Sequence, residues 1–321
     1  MKFFSRFGLS ELTVRLTLGI VAAIMLVTFC PDSSSAELDL CTRTSKSMLE
    51  SCQFGAQGDY WLAIAKCKNF FGAGKRITCK SNAERDLNSG IEECQAQYEA
   101  RLKICGVLGE NAYNPVINPA DFVAVIDNPY FPLTPGTTYI YEGITESGIE
   151  HIEVNVTLNT KEILGVTCIE VRDTVTIAGV LVEDTLDWFA QDTEGNVWYF
   201  GENSKELEGG LIVSLEGSWT AGVDGAKPGI IMKANPQVGD FYRQEFALGV
   251  AEDMAKVLSL NESVTVPYQP APFTNCLKTK EFSPLSPDAI EHKFYAPGIG
   301  NIQEVDVETG NHIDLIDIIT D

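Results

Sequence analysis

Six cysteines in this chain lie symmetrically about one point. Cys67 and Cys79, Cys52 and Cys94, and Cys41 and Cys105 are three pairs that share a midpoint at Ala73, the centre of Gly72-Ala73-Gly74. Two antiparallel helices joined by a turn there would bring residues equidistant from the turn to the same height, where each pair can close a disulfide. Nested pairing is one of 15 connectivities open to six cysteines, and the shared midpoint singles it out. Arg76 to Cys105 is rich in Ala, Glu, Arg, Leu and Gln, which are good helix formers. Cys79, Cys94 and Cys105 recur after about four and three helical turns and so stay near one face. The first arm carries Gly55 and Gly58, which predict a break between Cys52 and Tyr60. Thiolate ligation of a soft metal is the rival use of such cysteines. It normally needs cysteines three or four residues apart, a spacing absent here.

The N-terminus reads as a secretory signal over residues 1–36. Lys2, Arg6 and Arg15 precede the apolar run Leu16 to Phe29, and Ser34-Ser35-Ala36 supplies small residues for cleavage. The run is short of the roughly 20 residues a membrane span needs. No later stretch is long and apolar enough to span. Bulky Phe29 before Cys30 argues against lipidation. A signal followed by eight cysteines fits an oxidising compartment, so the expected location is the periplasm or the cell exterior.

Charge divides the remainder. Residues 37–110 balance ten basic against ten acidic side chains, whereas residues 111–321 hold ten against 33. A surface so acidic repels nucleic acid and anionic membranes. The neutral part is the helical hairpin, and 111–136 is a proline-rich linker from Asn114-Pro115 to Pro135-Gly136. From 137 to 321 the pattern alternates. Stretches rich in Val, Ile, Thr, Tyr and Trp are separated by short Gly-, Asp- and Asn-containing turns, about a dozen strands of an antiparallel meander. The predicted fold class is mainly β: a barrel, half-barrel or sandwich behind a disulfide-linked α-helical hairpin. Val250–Leu258 is the one stretch of this region read as a helix. Alternating βα units are missing, which excludes a doubly wound nucleotide-binding sheet.

The segments Tyr130-Phe131-Pro132-Leu133-Thr134-Pro135-Gly136-Thr137-Thr138-Tyr139, Asp187-Trp188-Phe189-Ala190-Gln191-Asp192, Gly195 to Glu202 and Glu291 to Gly300 carry a resemblance. Together they resemble a family of uncharacterised exported bacterial proteins over nearly all of residues 113–307. The Tyr295-Ala296-Pro297-Gly298-x-Gly300 stretch is also similar to one in half-barrel periplasmic lipoproteins of the lipoprotein-carrier type. That second likeness implies a curved sheet able to shelter an apolar ligand, and fold analogy alone assigns no activity.

Catalytic signatures are absent: there is no Gly-x-Ser-x-Gly, no His-Glu-x-x-His and no P-loop, and no cofactor motif. No residue earns a catalytic assignment, and the expectation leans away from an enzyme. Aromatic residues concentrate at Trp188, Trp198, Tyr199, Trp219, Tyr242 and Tyr295. They pack a β core first of all, and they can also line a pocket for a small apolar or amphipathic ligand. A non-catalytic exported binding protein is therefore the leading reading. The rivals are a hydrolase using paired carboxylates, Asp184 or Asp187 with Glu202, and a metal-binding protein. For the last, His151 and His292 would share a transition metal if their strands were neighbours. Asp192-x-Glu194-x-Asn196 superficially resembles a calcium loop but reads better as a turn. Cys168 and Cys276 either form a fourth disulfide or remain buried thiols.

Overall fold

The computed structural model describes residues 40–145 and 147–320. Residues 1–36, read from the sequence as a signal, lie outside the described residues. Two helices, α1 (Leu40–Lys68) and α2 (Ala73–Leu108), form the hairpin. Its disulfides are Cys41–Cys105, Cys52–Cys94 and Cys67–Cys79, the nested ladder expected from the spacing. The turn falls just before the symmetry point, and Gly72 caps α2 with a φ of 93° that favours glycine. The break expected at Gly55 and Gly58 does not occur, and α1 is continuous. Cys52 and Cys67 pin it to α2 on either side of the glycines, so their propensity is overridden. Gly90 serves close packing instead: a Cβ there would sit 3.3 Å from that of Ala56 on the facing helix.

After a 3₁₀ turn at Pro119–Asp121, all strands belong to one sheet. They are β1 (Phe122–Val123), β2 (Thr137–Thr145), β3 (Gly148–Ile163), β4 (Val166–Ile177), β5 (Val180–Asp192), β6 (Val197–Asn203), β7 (Glu206–Glu208), β8 (Leu211–Ser214) and β9 (Trp219–Thr220). There follow β10 (Lys227–Met232), β11 (Phe241–Arg243), β12 (Glu245–Phe246), β13 (Met254–Val264), β14 (Phe273–Ser283), β15 (Ser286–Ala296), β16 (Gly300–Asp306) and β17 (His312–Thr320). Consecutive strands pair antiparallel from β2 to β6 and from β13 to β17. The sheet curls round on itself because β17 pairs with β2, while β10 pairs with both β6 and β12 and β11 pairs with β13. The result is a nearly closed antiparallel β-barrel.

Stave β10 escapes sequence reading because Pro228-Gly229 argues against a strand. The glycine is what lets it fit: a Cβ on Gly229 would lie 2.3 Å from the Gln244 carbonyl oxygen. The helix expected over Val250–Leu258 is instead a β-bridge between Ala247 and Ala251 followed by β13. Pairing of β13 with β11 and β14 satisfies its backbone on both sides and outweighs the helical propensity of Met254, Ala255, Lys256 and Leu258.

The linker starts beside the hairpin, where Tyr113 donates to Pro228 O, and residues 127–129 pack on the far end of the barrel. Backbone N–H groups of Asp127 and Asn128 donate to the Gln191 side chain, Asn128 Nδ2 donates to the carbonyls of Gly195 and Lys233, and Gly298 N–H donates to Pro129 O. The hairpin docks on the turns of the opposite end, where Gln97 donates to Leu285 O and Arg101 meets Glu252.

Candidate functional site

Side chains alternate between the two faces of a strand, so register reveals what the barrel encloses. Across β3 to β9 one row reads Val156, Val171, Asp187, Glu202 and Trp219. The next row holds Val154, Asp173 and Thr185. From β11 to β15 the row is Tyr242, Ala255, Glu281 and Glu291, beside Val257, Thr279, Lys293 and Glu304. That these rows face inward follows from bonds that skip strands: Tyr141 on β2 donates to Asn301 O beside β17 at 3.0 Å. The charge of Glu304 is felt at Asp173, although β3, β2 and β17 separate their strands along the sheet.

Two polar networks occupy this interior. In one, the Tyr199 hydroxyl lies 2.5 Å from Asp187 Oδ1 and 3.2 Å from Glu202 Oε2. A phenol has one proton to donate, so Tyr199 bridges the two carboxyls with a single donor. Phe189 stacks on the Tyr199 ring at 4.7 Å, and Trp219 meets it edge-on at 5.5 Å. In the other, Lys293 Nζ lies 3.4 Å from Glu281, 3.6 Å from Glu304 and 3.8 Å from Glu291. Glu281 Oε1 also accepts from Thr279 Oγ1 at 2.8 Å and from the Tyr295 hydroxyl at 2.9 Å. Asn301 Nδ2 donates to Glu304.

The interior is thus acidic. Glu281, Glu291 and Glu304 surround the Lys293 ammonium, while Asp173, Asp187 and Glu202 are buried on the facing strands. Taking carboxylates out of water favours their neutral form. Burial, reinforced by Asp187 and Glu183, pushes the Asp173 carboxyl well above the usual range. Burial lifts Glu183 to about 7, despite the Thr185 hydroxyl, and lifts Glu291 to about 8, despite Lys293. For Lys293 burial works in the lowering direction, and the surrounding Glu304, Glu281 and Glu291 overcome it and hold it charged. Several buried polar atoms make no hydrogen bond with the described residues: Asp173 Oδ1, Glu304 Oε2, the Tyr242 hydroxyl and Trp219 Nε1.

Of the six aromatics singled out in the sequence, Tyr199, Trp219, Tyr242 and Tyr295 share this interior. Trp188 and Trp198 do not, because each is adjacent in its strand to an inward residue. Trp188 points outward, covered by the Lys161 ammonium at 3.2 Å from its ring and reaching Glu170, and Trp198 donates to Asp192. Asp187 and Glu202 are cross-strand neighbours on β5 and β6, on one wall and not across a cleft from each other, whereas Asp184 lies on the outer face with Arg172. The condition for a shared histidine metal site is not met. His151 is on β3 and His292 on β15, with β16, β17 and β2 between; His151 contacts Glu142 and Glu153 instead. Both Asp192 oxygens are spent on its own turn, accepting from Glu194, Asn196 and Trp198. Among the described residues, one tight cluster of ligating atoms stands out, Cys41, Cys105 and Glu110, and its sulfurs are bonded to each other.

Cys168 and Cys276 are buried free thiols on β4 and β14, not a fourth disulfide. Burial raises them to about 12 and about 11. The sequence reading missed Asp173, Glu281, Lys293 and Glu304. A usable signal existed for the first: Val171-x-Asp173-x-Val175 sets an acid at the parity of buried valines.

No protein-family profile and no curated protein matches this chain. Among solved structures, a candidate lipoprotein from Parabacteroides distasonis aligns with 60% of this chain and 99% of its own, at 14% identity and a TM-score of 0.33. Three disulfides fit an oxidising environment outside the cytoplasm, and no helix among the described residues is long and apolar enough to cross a membrane.

Proposed function

We propose that this protein is an exported, non-catalytic binding protein that holds a small amphipathic ligand with a cationic head inside its barrel. The observation that carries the reading is the set of buried polar atoms without a protein partner. Asp173, Glu304, Tyr242 and Trp219 all turn such atoms away from water, and an unsatisfied buried polar group costs roughly 1–3 kcal/mol. A ligand that hydrogen-bonds to them recovers that cost. The carboxyl excess around Lys293 selects a positive head, and the rings of Tyr199, Trp219, Tyr242 and Tyr295 receive apolar surface or a cation over their faces. Protons held by the raised carboxyls leave as a cation enters, so affinity should rise with pH through about 7 to 8.

A hydrolase fits less well. Tyr199 occupies the space between Asp187 and Glu202 where a scissile bond would have to lie. Native mass spectrometry of protein purified from its source tests the reading, together with thermal shifts on adding octylamine or spermidine. A released organic cation, and a melting temperature that rises with amine in the wild type but not in an Asp187→Asn, Glu202→Gln variant, is expected. A bare protein mass with no amine-dependent shift would overturn it.

A further inference from the structure

A cavity lies at the seam where the hairpin meets the barrel. It has a volume of about 260 Å³, small for a ligand site, and its walls include Leu40, Ile104, Phe246 and Leu248. Its charge is opposite in sign to that of the chain, which carries a net −22. Arg101, Lys227 and Arg243 line it against one carboxylate, Glu252.

That carboxylate is already used. Glu252 Oε2 accepts from Arg101 Nε at 3.0 Å, and Oε1 accepts from Arg101 Nη2 at 2.7 Å and from Gly249 N–H at 2.8 Å. Lys227 donates to Tyr113 O and Asn114 Oδ1, both neutral. Arg243 is the cation with most capacity left. Its guanidinium is flanked by the Phe246 ring at 4.8 Å and the Tyr113 ring at 5.6 Å, and the one hydrogen bond it makes among the described residues goes to Met254 Sδ at 3.9 Å. Burial disfavours its charge, and Glu252 nearby only partly offsets this. A planar fork packed against two rings that meet edge-to-face, with most of its donors unspent, is pre-organised for a two-oxygen acceptor.

We infer that the seam cavity binds a small organic anion, a monocarboxylate with an apolar body. Its carboxylate pairs with Arg243, and its body lies against Phe246, Leu248 and Ile104. The bound molecule touches both hairpin and barrel, so binding tightens their docking. This site is independent of the barrel interior, and its ligand has the opposite charge.

The test is calorimetric titration of the full chain with benzoate and hexanoate, with benzamide and benzylamine as uncharged and cationic controls. The expected result is saturable binding of the two anions, weakened roughly tenfold or more by Arg243→Gln and less by Arg243→Lys. Benzamide and benzylamine should not compete. Leu248→Trp, which fills the cavity and leaves the guanidinium intact, should abolish binding and serves if Arg243→Gln does not fold. Equal binding of benzamide, equal affinity in the Arg243 and Leu248 variants, or no anion binding at all would overturn the inference.

Discussion

The hairpin and the barrel are held together by different means. Between its long arms the hairpin buries little beyond Ser45, Ile64, Cys67, Ala83, Cys94, Ala100, Arg101, Ile104 and Cys105. It leaves Phe54, Trp61, Phe71 and Ile77 largely exposed. Three covalent bonds compensate for that thin core, as small disulfide-rich domains do. The barrel's two described cysteines stay reduced, and a continuous apolar core runs from Ile126 to Leu315. The contrast teaches that crosslinks sit where burial is scarce. The barrel can therefore tolerate a costly acidic interior, because its core supplies a surplus of apolar burial that the hairpin lacks.

The sharpest way to break this comparison is at the joint. Arg101→Met leaves Glu252 buried without its ion pair, and a loss of about 3–5 kcal/mol is expected in denaturant unfolding. A double Arg101→Met, Glu252→Met replacement should recover most of it. A single-variant loss under about 1 kcal/mol would mean that the joint is incidental.

Next in size, replacing Cys52 and Cys94 together by serine should cost about 2–4 kcal/mol. Hydrogen exchange should locate the loss in α1 and α2, with β2 to β5 still protected. Uniform loss across both regions would dissolve the distinction between a stapled and a packed part.

A smaller effect comes from pH. Glu183 and Glu291 hold protons up to about 7 and about 8 in the folded protein, against an ordinary 4.5 when unfolded. Over that window the folded state binds more protons than the unfolded one, so stability falls as pH rises from about 4.5 to about 8. The melting temperature should decline across this range and flatten above it. The Glu291→Gln variant should show a shallower decline; an unchanged slope would count against a buried, protonated Glu291.

The smallest effect belongs to the histidines. His151→Gln and His292→Gln should each change stability by less than about 0.5 kcal/mol. Neither should alter the response to zinc. A zinc-dependent shift lost in either variant would reinstate a site that the strand order separates.

The hairpin was legible in the sequence because cysteine pairing imposes a distance rule that survives weak propensity. Even so, Gly55 and Gly58 misled, since nothing local reports the staples on either side of them. Strand content was legible from alternation. Closure was not. Lys227–Met232 completes the barrel through a Pro-Gly pair that reads as a breaker, and the close approach it permits exists only against Gln244. Asp187 and Glu202 were both named, but their junction through Tyr199 depends on the register of β5 with β6. Lys293 and Glu304 could not be joined to Glu281 from spacing, because parity tells which face a residue takes and not which strands surround it. Trp188 and Trp198 show the same limit from the other side: aromatic density marks burial, and a barrel buries residues on both of its surfaces.

The pairing of β17 with β2 sets an order of events for folding. Thr320 sits opposite Thr137, and Ile313 opposite Gly143, so this seam joins the first long stave to the last. Contacts so distant in sequence form slowly, because loop-closure entropy is spent before they give anything back. The hairpin's contacts are nearer in sequence and should organise first. Until β17 arrives, β2 and β16 are open edges able to pair with other chains. In a chain that emerges N-terminus first, the barrel therefore stays unlocked until β17 has emerged to pair with β2.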